Sequence, residues 1–229
     1  MLLSVKSSRM NFITIDFSLN SPGICVFDGS KYTFISYLKA NTGSKKEQLI
    51  QSNFSNLKDG VLIEQPDFKS HEQAYSSVEF AKIQRYVTTS EEILETVAEI
   101  INPSDECVFA FEGTSFGSKM GTNNIIDMAA GAAILKFMIL EEFNVKTIET
   151  VAPSTIKKHA GKGNMNKLML WEKFIDNSIE DTYLTNSETH SFCVKELGRD
   201  IKKIPKPFDD LVDAYFLNHY LQGISTTDA

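Results

Sequence analysis

The sequence predicts an α/β fold: a mixed sheet of five strands, three antiparallel and then parallel, with helices on both faces. Three observations lead there. Short apolar runs at Phe12–Ile15, Ile24–Phe27 and Tyr32–Leu38 follow one another with only turn residues between them, as in an antiparallel meander. Cys107–Phe111 is apolar throughout, without alternation, which suits a central strand covered on both faces. From there the chain alternates: a long apolar helix, a strand at Val145–Val151, then further helices.

Each element has a local reason. Ser, Asn, Pro and Gly separate the first two runs, and Asp28-Gly29-Ser30 suits a tight turn before the third. Residues 40–72 are polar and mixed, with a helix expected around Lys45–Leu57 and an apolar patch at Val61–Ile63, and read as an insertion. Helical periodicity is clear after Ser90-Glu91-Glu92, with Ser90 as the expected N-cap, and Asn102-Pro103 ends it. The run Ile125–Phe143 is apolar nearly all round, with small residues at Ala129–Ala133 that permit close approach of a neighbour. Pro153 starts a short helix and Lys167–Ile175 forms another. Residues 176–207 read as irregular. Asp209–Leu221 is an amphipathic helix headed by two acids, which suits its positive N-terminal dipole.

At 229 residues, 42% of them apolar, the chain suits one domain over residues 10–223, with a leader at 1–9 and a tail at 224–229. A formal charge of −7 argues against a protein that coats nucleic acid over its whole surface, and leaves room for a local basic groove. Cys25, Cys107 and Cys193 sit among apolar neighbours and form no zinc pattern, so a reducing, cytoplasmic location is expected. The N-terminus lacks the apolar core of a signal peptide, and Asp127 and Lys136 break the longest apolar run, so no membrane association is expected.

Four acids stand at the ends of elements. Asp16 ends the first strand, Glu112 ends the strand at Cys107–Phe111, and Asp210 and Asp213 lie in the first turn of the last helix, three apart and on one face. If the first and fourth strands are neighbours, all four carboxylates meet at one sheet edge. Acids that close ionise together only beside cations. Oxygen-only ligation suits Mg²⁺ or Mn²⁺, and two such ions would form the clamp used in phosphodiester cleavage. Each acid also has a plainer reading. Asp16 could cap a turn, Glu112 could be a surface acid, and Asp209 and Asp210 could serve the helix dipole. Asp213, followed by Ala214-Tyr215-Phe216-Leu217, is the hardest to explain structurally, and Asp209 competes with Asp210 as a ligand. A basic stretch holding Lys157, Lys158, Lys162, Lys167 and Lys173 could grip phosphates, or could be a solvated helix face. Gly161-Lys162-Gly163 lacks P-loop spacing.

Four blocks resemble, in order, the RuvC family of Holliday junction resolvases in the RNase H-like superfamily. They are ITIDFSLNSPGICVFD, FAFEGTSFGSKMGTNNIIDMAAGAAIL, VAPSTIKKHAGKGNMNK and DDLVDAYFL. The resemblance implies an RNase H-like fold and an endonuclease that resolves four-way or other branched DNA by paired nicks. It implies Asp16, Glu112, Asp210 and Asp213 as catalytic metal ligands for two Mg²⁺ or Mn²⁺ ions, and Lys157 and Lys167 as lysines near the scissile phosphate. It further implies Phe116 and Lys119 as DNA-facing residues and a homodimer, with Ile125–Phe143 a reasonable interface. The departures are Phe17-Ser18 where the family has Pro-Gly, Ser115 where it has an aromatic, a glycine loop one residue short, and a larger insertion. Small size, acidity and divergent blocks would suit a viral member acting in a host cytoplasm. Two alternatives remain. A non-catalytic branched-DNA scaffold would normally have lost an acid. An actin-like ATPase would be longer, with a second lobe and Gly-rich phosphate loops.

Overall fold

The computed structural model describes residues 10–39, 43–66, 68, 77–113 and 122–225. The expected leader at 1–9 and the loop residues Phe116 and Lys119 lie outside the described residues. Strands β1 (Asn11–Asp16), β2 (Gly23–Phe27) and β3 (Tyr32–Lys39) form the antiparallel meander. Helix α1 (Lys45–Phe54) then crosses to β4 (Gly60–Gln65), which is parallel to β3. Helix α2 (Val78–Ile100) leads to β5 (Cys107–Glu112), parallel to β1, and α3 (Thr122–Glu142) leads to β6 (Val145–Val151), parallel to β5. Helices α4 (Pro153–Ala160), α5 (Lys167–Ile175), α6 (Thr182–Thr185), α7 (Glu188–Phe192) and α8 (Phe208–Ser225) follow. The sheet order is β4-β3-β2-β1-β5-β6.

The directions are those expected from the sequence, but the sheet has six strands, not five. Val61–Ile63 belongs to β4, an edge strand, so the insertion extends the sheet. The second helix also differs. Ser77 is its N-cap, and its side chain accepts from the Phe80 amide. Ser90 is buried in mid-helix and donates to the Tyr86 carbonyl four residues back, a bond that lets a serine continue a helix. Residues 176–207, expected to be irregular, hold α6, α7 and a π turn at Cys193–Leu197.

Period-two alternation divides the core. Ile13, Ile15, Phe109 and Phe111 face α2 and α3, packing with Ile93, Leu94, Val97, Leu135 and Ile139. Phe12, Cys25, Phe27, Val108 and Ala110 face the other way, toward α8 and the Leu170–Phe174 stretch of α5. Helix α8 was expected to be amphipathic, yet Asp210 through Asn218 are all buried, because the helix lies between the sheet and helices α4 and α5. Three polar ties hold it on the β1–β2 seam. Thr14 donates to the Ala214 carbonyl at 2.7 Å, and Asn218 Nδ2 donates to the carbonyls of Phe12 and Cys25, each at 2.9 Å. All three cysteines are buried and free. No helix among the described residues is long and apolar enough to cross a membrane.

Asn218 is fully buried, and its side chain donates to the Phe12 and Cys25 carbonyls and accepts from Gln222 Nε2, so replacing it removes three satisfied bonds without access to water. Asn218→Leu is expected to lower the unfolding free energy by about 1–3 kcal/mol in urea melts. A loss below about 0.5 kcal/mol, the scale of ordinary surface substitutions, would show that these ties do not hold α8.

Candidate active site

Strand register brings the acids together. Ile15 pairs with Phe111 across the parallel β1–β5 ladder, so Asp16 and Glu112 leave their strands side by side. Phe12 and Thr14 face α8, and alternation puts Asp16 on the same face. Val108 and Ala110 do the same for Glu112. The ties along α8 then lower its first turn onto this edge.

Gly23 makes that descent possible. It pairs with Asp16 across the β1–β2 ladder. A Cβ at Gly23 would lie 2.6 Å from the Asp210 carbonyl carbon and 2.7 Å from its oxygen. Any side chain there would push the start of α8 away.

Asp16, Glu112 and Asp213 offer oxygens that all lie within 4.8 Å of one another. Asp210 is buried beside them but is held differently. Its Oδ1 is 3.4 Å from Lys167 Nζ, and its Oδ2 accepts from Ser21 Oγ at 3.0 Å and from Lys206 Nζ. Lys167, the first residue of α5, also lies 3.0 Å from Asp213 Oδ2 and so bridges the two aspartates. Asp209 is half-buried, with Oδ1 3.1 Å from Lys206, and it is not among the three acids whose oxygens converge. Lys157 on α4 is near enough for its charge to act on Glu112 and Asp213. Lys158 and Lys162 are exposed. Ser21, Gly23 and Lys206 are missing from the sequence reading. The spacing of four between Lys206 and Asp210 is the one signal that could have found the lysine.

The charges are poorly compensated. Burial, and then Glu112 and the two helix aspartates, hold the Asp16 carboxyl well above the usual range. Burial and Asp213 push Glu112 up to about 7. Burial also raises Asp213, although Lys167 opposes it. Burial pulls on the Lys167 ammonium in the opposite direction, but Asp213, Asp210 and Asp16 outweigh it and hold that pKa above the ordinary lysine value. The Lys167 side chain keeps half its surface open to solvent, so it can withdraw.

This donor set fits a hard divalent cation. It is all oxygen, it converges, and its acids resist ionising together without added positive charge. The Lys167 ammonium stands where such charge is needed.

No family model and no curated protein matches the chain. Among solved structures, it is similar to T. thermophilus RuvC in complex with Holliday junction substrate, with 12% identity, 95% of this chain and 97% of that chain covered, and a TM-score of 0.46. It is also similar to the yeast mitochondrial Holliday junction resolvase Ydc2, with 13% identity, 93% and 76% covered, and a TM-score of 0.47.

Two predictions follow from the geometry. Gly23→Ala should cost about 1–3 kcal/mol in thermal or urea melts and weaken Mn²⁺ binding in the same protein. Wild-type values for both would mean α8 does not need this close approach. The second concerns pH. Glu112 titrates near 7 in the folded chain against an ordinary 4.5, so the folded state binds the proton more tightly than the unfolded one. Stability from this group is therefore full below pH 4.5 and is lost as pH rises through about 7. In EDTA, Tm should fall between about pH 5 and pH 8, and fall less in Glu112→Gln. Mg²⁺ should restore Tm at pH 8 and do little at pH 5, where protons compete for the same oxygens. An equal Mg²⁺ gain at both pH values would remove Glu112 from the metal site.

Proposed function

We propose that this chain is a metal-dependent endonuclease that cuts four-way or other branched DNA by paired nicks. The observation that carries the chemistry is the convergence of Asp16, Glu112 and Asp213 within 4.8 Å at the ends of β1 and β5, beneath the start of α8. Branched DNA as the substrate rests on the four sequence blocks that resemble RuvC resolvases.

Asp16, Glu112 and Asp213 would hold the divalent ion, with Asp210 beside them. Four carboxylates carry more charge than one divalent ion neutralises, so the reading keeps two Mg²⁺ or Mn²⁺ ions. The ions would supply an activated water for attack on phosphorus and neutralise the leaving oxygen. The chain's own groups do the rest. The strand ends and α8 fix the carboxylates on rigid elements, so little reorganisation is needed. Lys167, at the mouth of the site, and Lys157 on α4 offer ammonium groups to the phosphate oxygens. Lys158 and Lys162, exposed on the same basic stretch, would contact the DNA backbone farther out. Phe116 and Lys119 are kept as DNA-facing residues on the sequence resemblance alone.

Paired nicks call for two active sites, hence a homodimer. Along α3, Ile126, Phe137 and Leu140 expose 60%, 63% and 59% of their surface and lie on one stripe, with the small Ala130 and Ala133 between them. An apolar stripe of that kind suits a second copy of the chain.

The test is cleavage of a labelled synthetic four-way junction with Mg²⁺ or Mn²⁺, against linear duplex. Paired symmetric nicks are expected, reduced at least about 100-fold in Asp213→Asn, since even outer partners of metal ligands cost 10–100-fold. Cutting of flaps or forks alone would keep the chemistry and change the substrate. Tight junction binding with no cutting under any divalent ion would make the chain a non-catalytic scaffold.

A further inference from the structure

Among the described residues, Asp210 is the one of the four carboxylates with a partner on each oxygen. Its Oδ1 faces Lys167 at 3.4 Å. Its Oδ2 receives the Lys206 ammonium and the Ser21 hydroxyl, and Lys206 also donates to Ser21 Oγ at 2.8 Å, closing a three-membered ring of contacts. Asp209 adds a second acid to Lys206 at 3.1 Å. The triad of converging oxygens does not include Asp210.

The two lysines are not equivalent. Lys167 spans Asp210 and Asp213 and belongs to the mouth of the site. Lys206 touches only Asp209, Asp210 and Ser21 among the described residues, and so contacts none of the three converging acids. A third of its side chain is open to solvent. It lies between Pro205 and Pro207, in the segment that delivers the chain into α8. A lysine is a compact charge on a flexible stem, and its ammonium exchanges readily between a carboxylate and a phosphate.

We propose that Lys206 is an internal counter-cation that holds Asp210 back from the metal site until the phosphate backbone of bound DNA draws the ammonium away. The proposal rests on the metal-nuclease reading above and adds a positioning role to it. Free protein then has three carboxylates available for a divalent ion, and DNA-bound protein has four. Because the coupling is an equilibrium, it is reciprocal: DNA tightens metal binding, and metal tightens DNA binding by the same factor.

The experiment measures binding rather than turnover. Mn²⁺ binding to the full chain without DNA is followed by the EPR signal of the free ion, in wild type, Lys206→Met, Lys206→Arg and Asp213→Asn. Removing a charge-assisted contact from Asp210 should tighten Mn²⁺ binding about tenfold in Lys206→Met, and Lys206→Arg should stay near wild type. In EDTA, junction affinity measured against salt should lose about one unit of slope in Lys206→Met, the share of a single phosphate contact. Weaker or unchanged Mn²⁺ binding in Lys206→Met would overturn the proposal, since a lysine that merely buttresses Asp210 would weaken the site when lost. An unchanged salt slope would also overturn it. If Lys206→Met does not fold, Lys206→Gln carries the same two readouts. Unchanged Mn²⁺ binding in Asp213→Asn would instead refute the metal site itself, which separates the two failures.

Discussion

The seating of α8 on the β1–β2 seam is the constraint on which the site depends. A buried helix normally approaches a sheet through side chains that hold the two backbones apart. Here the approach is closer at one end, because Gly23 leaves no Cβ between β2 and the Asp210 backbone. Farther along, Thr14 and Asn218 tie the helix to β1 and β2 through backbone carbonyls, which fixes its rotation as well as its height. Rotation matters because α8 is buried over a run of nine residues, so hydrophobicity alone does not choose which side faces the sheet. The polar ties choose it, and in doing so they point Asp213 at Asp16 and Glu112.

That choice is costly to the isolated fold. Three carboxylates are pressed together, and the raised pKa values of Asp16 and Glu112 register first the loss of water and then the repulsion. A sequence selected only for stability would replace one of them with an apolar residue or an amide. Their presence together at the ends of the neighbouring strands β1 and β5 is the strongest physical sign that this place serves a ligand. The lysines moderate the cost without removing it. Lys167 answers Asp213 and Asp210, Lys206 answers Asp210 and Asp209, and neither forms a hydrogen bond or ion pair with Asp16 or Glu112.

Much of this was legible in the sequence, and the limits have physical causes. The strand ends at Asp16 and Glu112 stood out because a carboxylate interrupts an apolar run there, and alternation correctly puts both on one face. The strand β4 was hidden because it is an edge strand with half-buried side chains in a polar stretch, so its pattern is weak. Ser90 was misread as an N-cap because a serine bonded to the carbonyl four residues back looks, in sequence, like a serine that starts a helix. The all-round burial of α8 depends on α4 and α5 packing over it, which no periodicity within residues 208–225 encodes. Lys206 was missed because it lies in a segment that reads as irregular and its partner Ser21 is remote in sequence.

The elements between the resemblance blocks act together. The turn before β4 places Asp59 where it accepts from the Ser187 hydroxyl and from the Thr189 amide and hydroxyl. Glu188 pairs with Lys58, and Lys203 pairs with Glu47 at the start of α1. The Asp59 contacts are buried, so they outweigh the two exposed ion pairs, which are worth little individually. Together they clamp the segment after α5 against the α1–β4 crossover. That segment ends at Lys206 and turns into α8. The extension of the sheet by β4 therefore bears on the carboxylates indirectly: it anchors the polypeptide that brings Lys206 to Asp210. Asp59 is thereby linked to the start of α8 through the segment from Ser187 to Lys206, which it holds by its buried contacts to Ser187 and Thr189.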